Sequence, residues 1–522
     1  MKRNQESRAA AVPPLKHDAA VKDPPVDTRQ NMQAKETAEK SFPERVLRSL
    51  AQFVGGSSIQ TVAGFVASYF NARLLGPALL GTWSTAQIFM SYRIFFSVSL
   101  PFVMRRDFTM LRGEGREKEA WEIAYQVFSY GIVVTPFLSL ALAGYAFFFV
   151  ENYWFRISLF VASGIFLVEM FSGFGNILSK GVNNYAIIAQ ASVIQAVVVL
   201  FSIPGVYLWG FKALLVGQAC AAVAIAVLYY VKKPVKYGWH WDWKLLKRLT
   251  VAALPLYLAD ISAAAFSSID RIIIAGALSF EDVGLYALSN IVATPLNLLI
   301  SSAGIVIFTH LNERHGTSKE KAVVLKHMNA PQSIFGWLAP PFIGLGIIIL
   351  PVIIPLVLPE YVEGVRAAQI SVIGVYFYAL TNFSANALFI LDKQKNSAIC
   401  FVIAGIFNTF GSFLFVRIGY GIEGVAIATS TGFFIYNALM MCFVYRFTGE
   451  SVKTFFMTFL DRVAPALGVF TFSFLLVEAP NVLFGNYFPV GSWTLVTASS
   501  LMYLLLTVPI AWKGYSRLRM YV

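Results

Sequence analysis

Several ionisable residues lie inside long apolar runs of the sequence, where charge is costly and therefore suggests a functional role. The clearest are Arg93, Glu169, Asp260, Asp270 and Arg271. An arginine guanidinium can bind phosphate oxygens through two parallel hydrogen bonds, so arginines in a membrane suit a pyrophosphate group. A carboxylate there can take up a proton or hold Na⁺, because burial disfavours its bare charged form. The pattern predicts an anionic ligand whose binding is coupled to a cation.

Polar residues at helical spacing add further candidates. One apolar run carries a polar stripe at Ser57, Gln60, Thr61, Gly64, Ser68 and Asn71, and a later run carries Tyr378, Thr381, Asn382 and Asn386. Such a face either lines a water-filled cavity or packs against a neighbouring helix. The predicted substrate-binding residues are Arg93, Arg271, Arg73, Gln60 and Asn382. The predicted ion-coupling residues are Asp260, Glu169 and Asp270.

Structural interpretations of the same charges remain open. Arg73 and Arg271 can extend to lipid headgroups at the membrane surface, and Asp260 can serve as the structural partner of a nearby arginine. A salt bridge between Arg93 and Glu169 would explain both residues without any contact with a substrate. Two later charges, Asp461 and Arg462, are expected to extend to the membrane surface.

The composition is that of a protein that spans a membrane many times. Of 522 residues, 57% are hydrophobic and only 13% are charged, against about 25% charged in soluble domains. The apolar runs do not alternate as barrel strands do, so we expect an all-α polytopic protein. A bilayer core requires about 20 apolar residues per helix. We predict fourteen spans: 47–72, 80–104, 122–150, 155–178, 184–208, 211–231, 249–276, 284–309, 330–358, 363–391, 395–416, 421–445, 454–477 and 490–512. Twelve spans remain an alternative.

The distribution of basic residues predicts the orientation. The net charge is +13, but most basic residues fall in alternate connections between spans, as the positive-inside rule requires, and not in a nucleic-acid patch. Both termini are therefore expected in the cytoplasm, and residues 1–43 are expected to form a disordered tail. Cys220, Cys400 and Cys442 show no metal-ligand spacing and are interpreted as packing residues.

An internal repeat suggests two halves. Residues 70–87 and 269–290 both run from the end of a span, through a basic residue and a short predicted outer turn, to a glycine followed by an aromatic residue two positions later. Transporters are often built from two such repeats with the substrate site between them. The predicted organisation is a tail (1–43), an N-lobe (44–231), a basic linker (232–248), a C-lobe (249–445) and two extra spans with a short cytoplasmic tail (446–522).

Several of these segments resemble a known family. Leu74-Leu-Gly-Pro77 with Gly81-Thr-Trp83, Leu254-Pro255-Leu, Ser268-Ile-Asp-Arg271 and Val283-Gly-Leu-Tyr286, together with Leu358-Pro-Glu-Tyr361, are similar to the Wzx-type polysaccharide flippases. That family belongs to the multidrug/oligosaccharidyl-lipid/polysaccharide exporter superfamily. The resemblance implies two six-helix lobes plus two C-terminal helices, and positive cavity residues that map to Arg93 and Arg271. The polar segment before span one is longer than is usual in the family.

The resemblance also implies a function. We expect the protein to flip an undecaprenyl-pyrophosphate-linked oligosaccharide across the bacterial inner membrane by alternating access, for O-antigen, exopolysaccharide or capsule synthesis. No cofactor is expected beyond a coupling H⁺ or Na⁺. Expected partners are the lipid-linked oligosaccharide, membrane lipids, and a polysaccharide polymerase with its chain-length regulator. An enzyme is disfavoured because the predicted outer loops are short, whereas a drug or cation antiporter of the same superfamily remains the alternative.

Overall fold

The protein is built from α-helices, as its apolar composition predicts. The computed structural model describes residues 42–232, 236–294, 321–391, 393–484 and 493–521, and no residue in these ranges lies in a β-strand. In chain order the helices are α1 (Phe42–Ser91), α2 (Ile94–Ser97), α3 (Leu100–Gly113), α4 (Glu117–Phe149), α5 (Tyr153–Gly181), α6 (Tyr185–Trp209), α7 (Phe211–Lys232), α8 (Trp243–Ala277), α9 (280–294), α10 (Lys321–Val357), a 3₁₀ helix (Pro359–Gly364), α11 (Val365–Ile390), α12 (Gln394–Arg417), α13 (Gly421–Thr448), α14 (Val452–Phe484) and α15 (Trp493–Tyr521).

The helices agree with the predicted membrane spans. In the described part of the chain, eight helices are long and apolar enough to cross a bilayer, and a bent pair that begins in α1 raises the number to nine. The other predicted spans also fall on helices, namely α8, α9, α11 and α15. The parts of two predicted spans at 295–309 and 490–492 lie outside the described residues. The polytopic all-helical fold is therefore confirmed.

The chain divides into two compact units, Met1–Ala51 and Gln52–Val522. Of the first unit, the structure describes only 42–51, which form the start of α1. The predicted disordered tail at 1–43 therefore lies almost wholly outside the described residues. The cavities and core clusters reported below all belong to the second unit. The boundaries of the two lobes stay a prediction.

Two breaks in the first helices depart from the predicted spans. Spans one and two form one helical run, kinked at Gly76, whose φ of 70° places it in the left-handed region where glycine is favoured. Predicted span two is not continuous. It breaks between the ends of α1 and α3, where Val98 and Ser99 have φ of 48° and 49°, and the two parts meet at 52°. Predicted span 80–104 is therefore helical, with a break that the sequence did not predict.

The segment between α7 and α8 is fixed against α4. The backbone N–H of His240 donates to Ser129 Oγ at 2.9 Å, and the N–H of Asp242 donates to Gln126 Oε1 at 2.7 Å. Ser129 and Gln126 are both fully buried, so these bonds satisfy polar groups that would otherwise be costly. The Asp242 carboxylate then caps α8 by accepting from the N–H of Lys244. Within the predicted linker (232–248), residues 236–242 are therefore tied to α4, and the rest from Trp243 onward forms the start of α8.

Candidate functional site

A polar cavity, here called cavity A, lies between α1, α8 and α9 and has a volume of about 610 Å³. The predicted stripe on α1 supplies one wall, since five of its six members line the cavity. The sixth, Asn71, is buried at 7% exposure. The cavity interpretation of the stripe is therefore confirmed. The residues lining cavity A are Ser57, Gln60, Thr61, Gly64, Phe65, Ser68, Leu80, Trp83, Ser84, Gln87, Arg271, Ala287, Asn290, Ile291 and Thr294.

Amides, hydroxyls and one cation set the chemistry of cavity A. Gln60 Nε2 donates to Gln195 Oε1 at 2.7 Å, which orients the Gln60 side chain. The Arg271 guanidinium donates to the carbonyl of Ser267 at 3.3 Å, and no ion pair of Arg271 occurs within the described ranges. Cavity A therefore combines neutral donors and acceptors for hydroxyl groups with a guanidinium for an anion.

A second cavity, here called cavity B, is mainly apolar and has a volume of about 540 Å³. It lies where predicted span two breaks, between the α1–α3 segment and helices α4 and α5, with Asp260 of α8 at its wall. Arg93 and Glu169 line it together, with Nη1 of the arginine 2.7 Å from Oε2 of the glutamate. The salt bridge that the sequence left open as an alternative is therefore present.

The break beside cavity B exposes backbone groups that distant side chains satisfy. The Tyr130 hydroxyl donates to the carbonyl of Phe96 at 2.7 Å, and the Tyr257 hydroxyl donates to the carbonyl of Phe95 at 2.8 Å. These bonds replace helical hydrogen bonds that the break removes. Ser99 Oγ then donates to Asp260 Oδ2 at 2.6 Å.

The two arginines predicted to clamp a pyrophosphate line different cavities. Arg93 lies in cavity B and Arg271 in cavity A, so the structure does not bring them together around one ligand. Asp270 accepts from the backbone N–H of Arg271 at 2.8 Å and lines neither cavity. The Arg93–Glu169 and Ser99–Asp260 contacts place those two carboxylates in cavity B. The binding and coupling roles of these residues stay predictions.

Two further predicted site residues lie away from both cavities. Arg73 is exposed and donates to the Tyr69 hydroxyl at 2.9 Å, one turn earlier on α1. Asn382 is also exposed, and its amide donates to the carbonyl of Ala379 at 3.2 Å. Neither residue lines cavity A or cavity B. Of the five predicted substrate-binding residues, only Gln60 and Arg271 therefore lie in cavity A.

The family assignment follows from a match to residues 70–360, which is more than half of the sequence. The matching family is described as polysaccharide biosynthesis protein. The chain belongs to this family. The matched range includes every residue that lines cavity B. It also includes the residues of cavity A that lie on α8, on α9 and between Leu80 and Gln87 on α1. A search of curated proteins finds no match.

Solved structures of lipid and drug transporters share the fold of this polysaccharide biosynthesis protein. It is similar to the structure titled "Lipid II flippase MurJ, inward closed conformation", with 14% identity, a TM-score of 0.65, and coverage of 89% of this chain and 99% of that chain. It is also similar to an inward-facing multidrug resistance MATE family transporter of the MOP superfamily, with 13% identity, a TM-score of 0.59, and coverage of 75% and 94%. A MOP superfamily transporter from Pyrococcus furiosus gives 14% identity, a TM-score of 0.52, and coverage of 78% and 95%. At these identities the likeness establishes a shared transporter fold.

Several polar residues of cavity A were not predicted from the sequence. Gln87, Asn290 and Gln195 contribute to cavity A or orient its side chains, and each is a polar residue inside an apolar run. Gln87 lies three residues after another lining residue, Ser84, which is the helical spacing that could have identified it. The break at 92–99 had only a weak signal, a Ser-Val-Ser sequence shortly before Pro101.

The prediction that Arg462 extends to the membrane surface was wrong. The residue is 2% exposed, and its guanidinium donates to Gln332 Oε1 at 2.5 Å and to Asn329 Oδ1 at 2.9 Å. Neighbouring Asp461 pairs instead with Arg517, at 2.6 Å. This network joins α10, α14 and α15 and holds the last two helices against the rest of the fold. Of the cysteines, Cys400 is buried as predicted for a packing residue, whereas Cys220 and Cys442 are exposed.

Proposed function

We propose that the protein flips an undecaprenyl-pyrophosphate-linked oligosaccharide across the bacterial inner membrane by alternating access. The observation that carries this proposal is the composition of cavity A. It offers amides and hydroxyls suited to sugar hydroxyl groups, the Trp83 ring, and the Arg271 guanidinium with no ion-pair partner in the described ranges. A volume of about 610 Å³ accommodates a ligand larger than one sugar. The family description and the fold shared with a lipid II flippase support the same function.

In this mechanism Arg271 binds the pyrophosphate and Gln60 contacts the sugar, while the lipid tail stays in the bilayer. The role is transport and not catalysis, which agrees with the transporter fold. The product would supply synthesis of O-antigen, exopolysaccharide or capsule. A polymerase and a chain-length regulator would act on it afterwards. The distribution of basic residues supports a cytoplasmic location for both termini.

Coupling to H⁺ or Na⁺ is assigned to Asp260 in preference to the other two acidic candidates. Glu169 is already neutralised by Arg93. Asp270 accepts a backbone N–H and lines neither cavity. Asp260 lines cavity B, accepts from Ser99, and has no basic partner within the described ranges. A cation bound there would offset its charge in a mainly apolar setting.

The test replaces Arg271 and measures flipping in inner-membrane vesicles. Arg271→Gln should lower the flipping rate roughly 10- to 100-fold, since hydrogen bonds to charged groups contribute about 1.5–3 kcal/mol. Arg271→Lys should retain part of the activity because it keeps the charge but not the planar fork. The matched control is Arg417→Gln, an exposed arginine that lines neither cavity. Full activity in Arg271→Gln would remove the pyrophosphate role from cavity A.

A drug or cation antiporter is the second candidate function. The observation in its favour is the Asp260 carboxylate at the wall of apolar cavity B, together with the fold shared with MATE transporters. An organic cation would bind there through its charge and its apolar surface. A deletion strain with normal surface polymer and increased sensitivity to cationic drugs would favour this function. Unchanged drug sensitivity with loss of polymer would exclude it.

A further inference from the structure

Two glycines at equivalent positions of the internal repeat bring the two halves of the protein together. Gly81 in α1 and Gly284 in α9 occupy the same place in the repeated segments, two residues before Trp83 and Tyr286. A side chain on Gly81 would overlap the carbonyl oxygen of Phe280 and would lie 2.6 Å from the backbone N of Gly284. The backbones of the two segments therefore touch without any side chain between them. We call this the turn contact.

The reverse side of the turn contact has the same geometry. A Cβ on Gly284 would overlap the carbonyl oxygen of Pro77 and lie 2.8 Å from its Cα. Both obstacles are backbone atoms, which cannot rotate away as a flexible side chain could. The sequence repeat is therefore matched by a reciprocal contact in the structure, with each glycine packed on the other segment. Only glycine fits either position without a local shift.

The turn contact borders one end of cavity A. Leu80 and Trp83 line the cavity on the α1 side of the contact, and Ala287 and Asn290 line it on the α9 side. These residues are within one to two helical turns of the two glycines. A ligand in cavity A that left through this end would have to separate the two backbones. The positive-inside pattern places this end at the outer face of the membrane.

Apolar residues hold the turn contact from both sides. The Phe280 ring packs against Phe155 of α5, with ring centroids 4.9 Å apart, in a cluster that also contains Trp83. In return, Tyr69 and Leu80 of α1 pack on a cluster built largely from α9, α10 and α11. Each segment therefore inserts into the core of the other half. Such packing is non-directional, so it can separate without leaving buried hydrogen-bonding groups unpaired.

On the other side of Gln87 from the turn contact, hydrogen bonds join the broken span to α8. Below Gln87, the Tyr92 hydroxyl meets Ser268 Oγ at 2.9 Å. The bonds from Tyr257 to the carbonyl of Phe95 and from Ser99 to Asp260 continue the connection between the broken span and α8. The two halves are therefore joined by a backbone contact on one side of Gln87 and by hydrogen bonds on the other.

We infer that Gly81 and Gly284 form the outer gate of cavity A, and that separation of the turn contact opens the cavity to the outer face. The identity of the ligand that passes this gate rests on the proposed function, whereas the position of the gate rests only on the backbone contact. Replacing either glycine by alanine forces the backbones apart. The added methyl group destabilises only the closed state, in which the two backbones touch. The outward-open state should therefore become about tenfold more populated.

The test measures access to cavity A from the periplasmic side. Gln87→Cys serves as the reporter in a background without the native cysteines, and spheroplasts receive a membrane-impermeant maleimide. Gly81→Ala and Gly284→Ala should each raise the labelling rate about tenfold. Gly276→Ala is the matched control, because a Cβ at this glycine near the end of α8 meets no atom within 4 Å. Labelling at the parent rate in both gate variants would overturn the inference.

A second measurement applies if the alanine variants fail to reach the membrane. In the otherwise unchanged protein, Ala78→Cys lies on the exposed side of the turn contact and Gln87→Cys lies within the cavity. The gate predicts that the first labels at least about tenfold faster than the second from the periplasm. Equal rates would overturn it. Because labelling requires no substrate, a positive result with no flipping activity would retain the gate and remove the proposed cargo.

Discussion

Neutralising the Arg93–Glu169 pair separates a structural role from a substrate role. The two side chains are 39% and 35% exposed, with a nitrogen–oxygen distance of 2.7 Å. Breaking a fully buried pair costs about 3–5 kcal/mol, whereas an exposed pair contributes about 0–1 kcal/mol. For this intermediate exposure we expect Arg93→Gln or Glu169→Gln alone to lower the free energy of unfolding by about 1–3 kcal/mol. Each single change leaves one charge without its partner in cavity B.

The double variant decides between the two roles. Arg93→Gln with Glu169→Gln leaves no isolated charge, so its stability should exceed the additive expectation by about 1–2 kcal/mol. The assay is a double-mutant cycle of denaturant unfolding in detergent micelles, followed by a flipping measurement on the double variant. The Arg116–Glu119 pair, with both side chains about half exposed, is the matched control and should show little coupling.

The flipping rate of the double variant tests whether Arg93 contacts the substrate. A structural pair predicts that transport persists, since Arg93 lines a different cavity from Arg271. Additive losses of stability would refute the structural reading of the pair. Loss of transport in a stable double variant would restore the hypothesis that Arg93 binds the pyrophosphate.

Two further predictions follow from the buried hydrogen bonds. Arg462→Met should lower the unfolding free energy by about 2–4 kcal/mol, since the amide oxygens that the guanidinium contacts lose their donor. The control Lys453→Met, at an exposed position of the same helix, should change the unfolding free energy little. Equal effects of the two substitutions would contradict the prediction. Ser99→Ala should lower the unfolding free energy by about 1 kcal/mol, because it removes the hydrogen bond to Asp260 at the break in predicted span two. A double-mutant cycle with Asp260→Ala should show coupling between the two residues, and additive losses would contradict a direct bond.

The sequence identified the helices well because each long apolar run is a local property of the chain. It also predicted the stripe on α1, since residues at helical spacing necessarily share a face. Its two alternatives, cavity or packing, were separated only when the structure showed α9 on the other side of the stripe. The Arg93–Glu169 bridge was likewise one of several interpretations, because pairing across 76 residues depends on how helices pack.

Features set by distant partners were not predictable from one sequence. Predicted span two is continuous in composition, whereas the carbonyl groups exposed at its break are satisfied by the hydroxyl groups of Tyr130 and Tyr257 from distant helices. Arg462 was misjudged because its amide partners, Gln332 and Asn329, lie 130 and 133 residues away. The repeat glycines were visible in the sequence, but their reciprocal contact required the structure.

Export of a lipid-linked oligosaccharide, as proposed, fixes where the repeat units accumulate when this protein is missing. The most direct measurement determines which face holds the lipid-linked repeat units in inner-membrane vesicles of known orientation from a deletion strain. We expect intact repeat units to accumulate on the cytoplasmic face, with loss of surface polymer, and the wild-type gene but not Arg271→Gln to reverse both effects. Repeat units reaching the periplasmic face at the normal rate, with normal polymer, would contradict it.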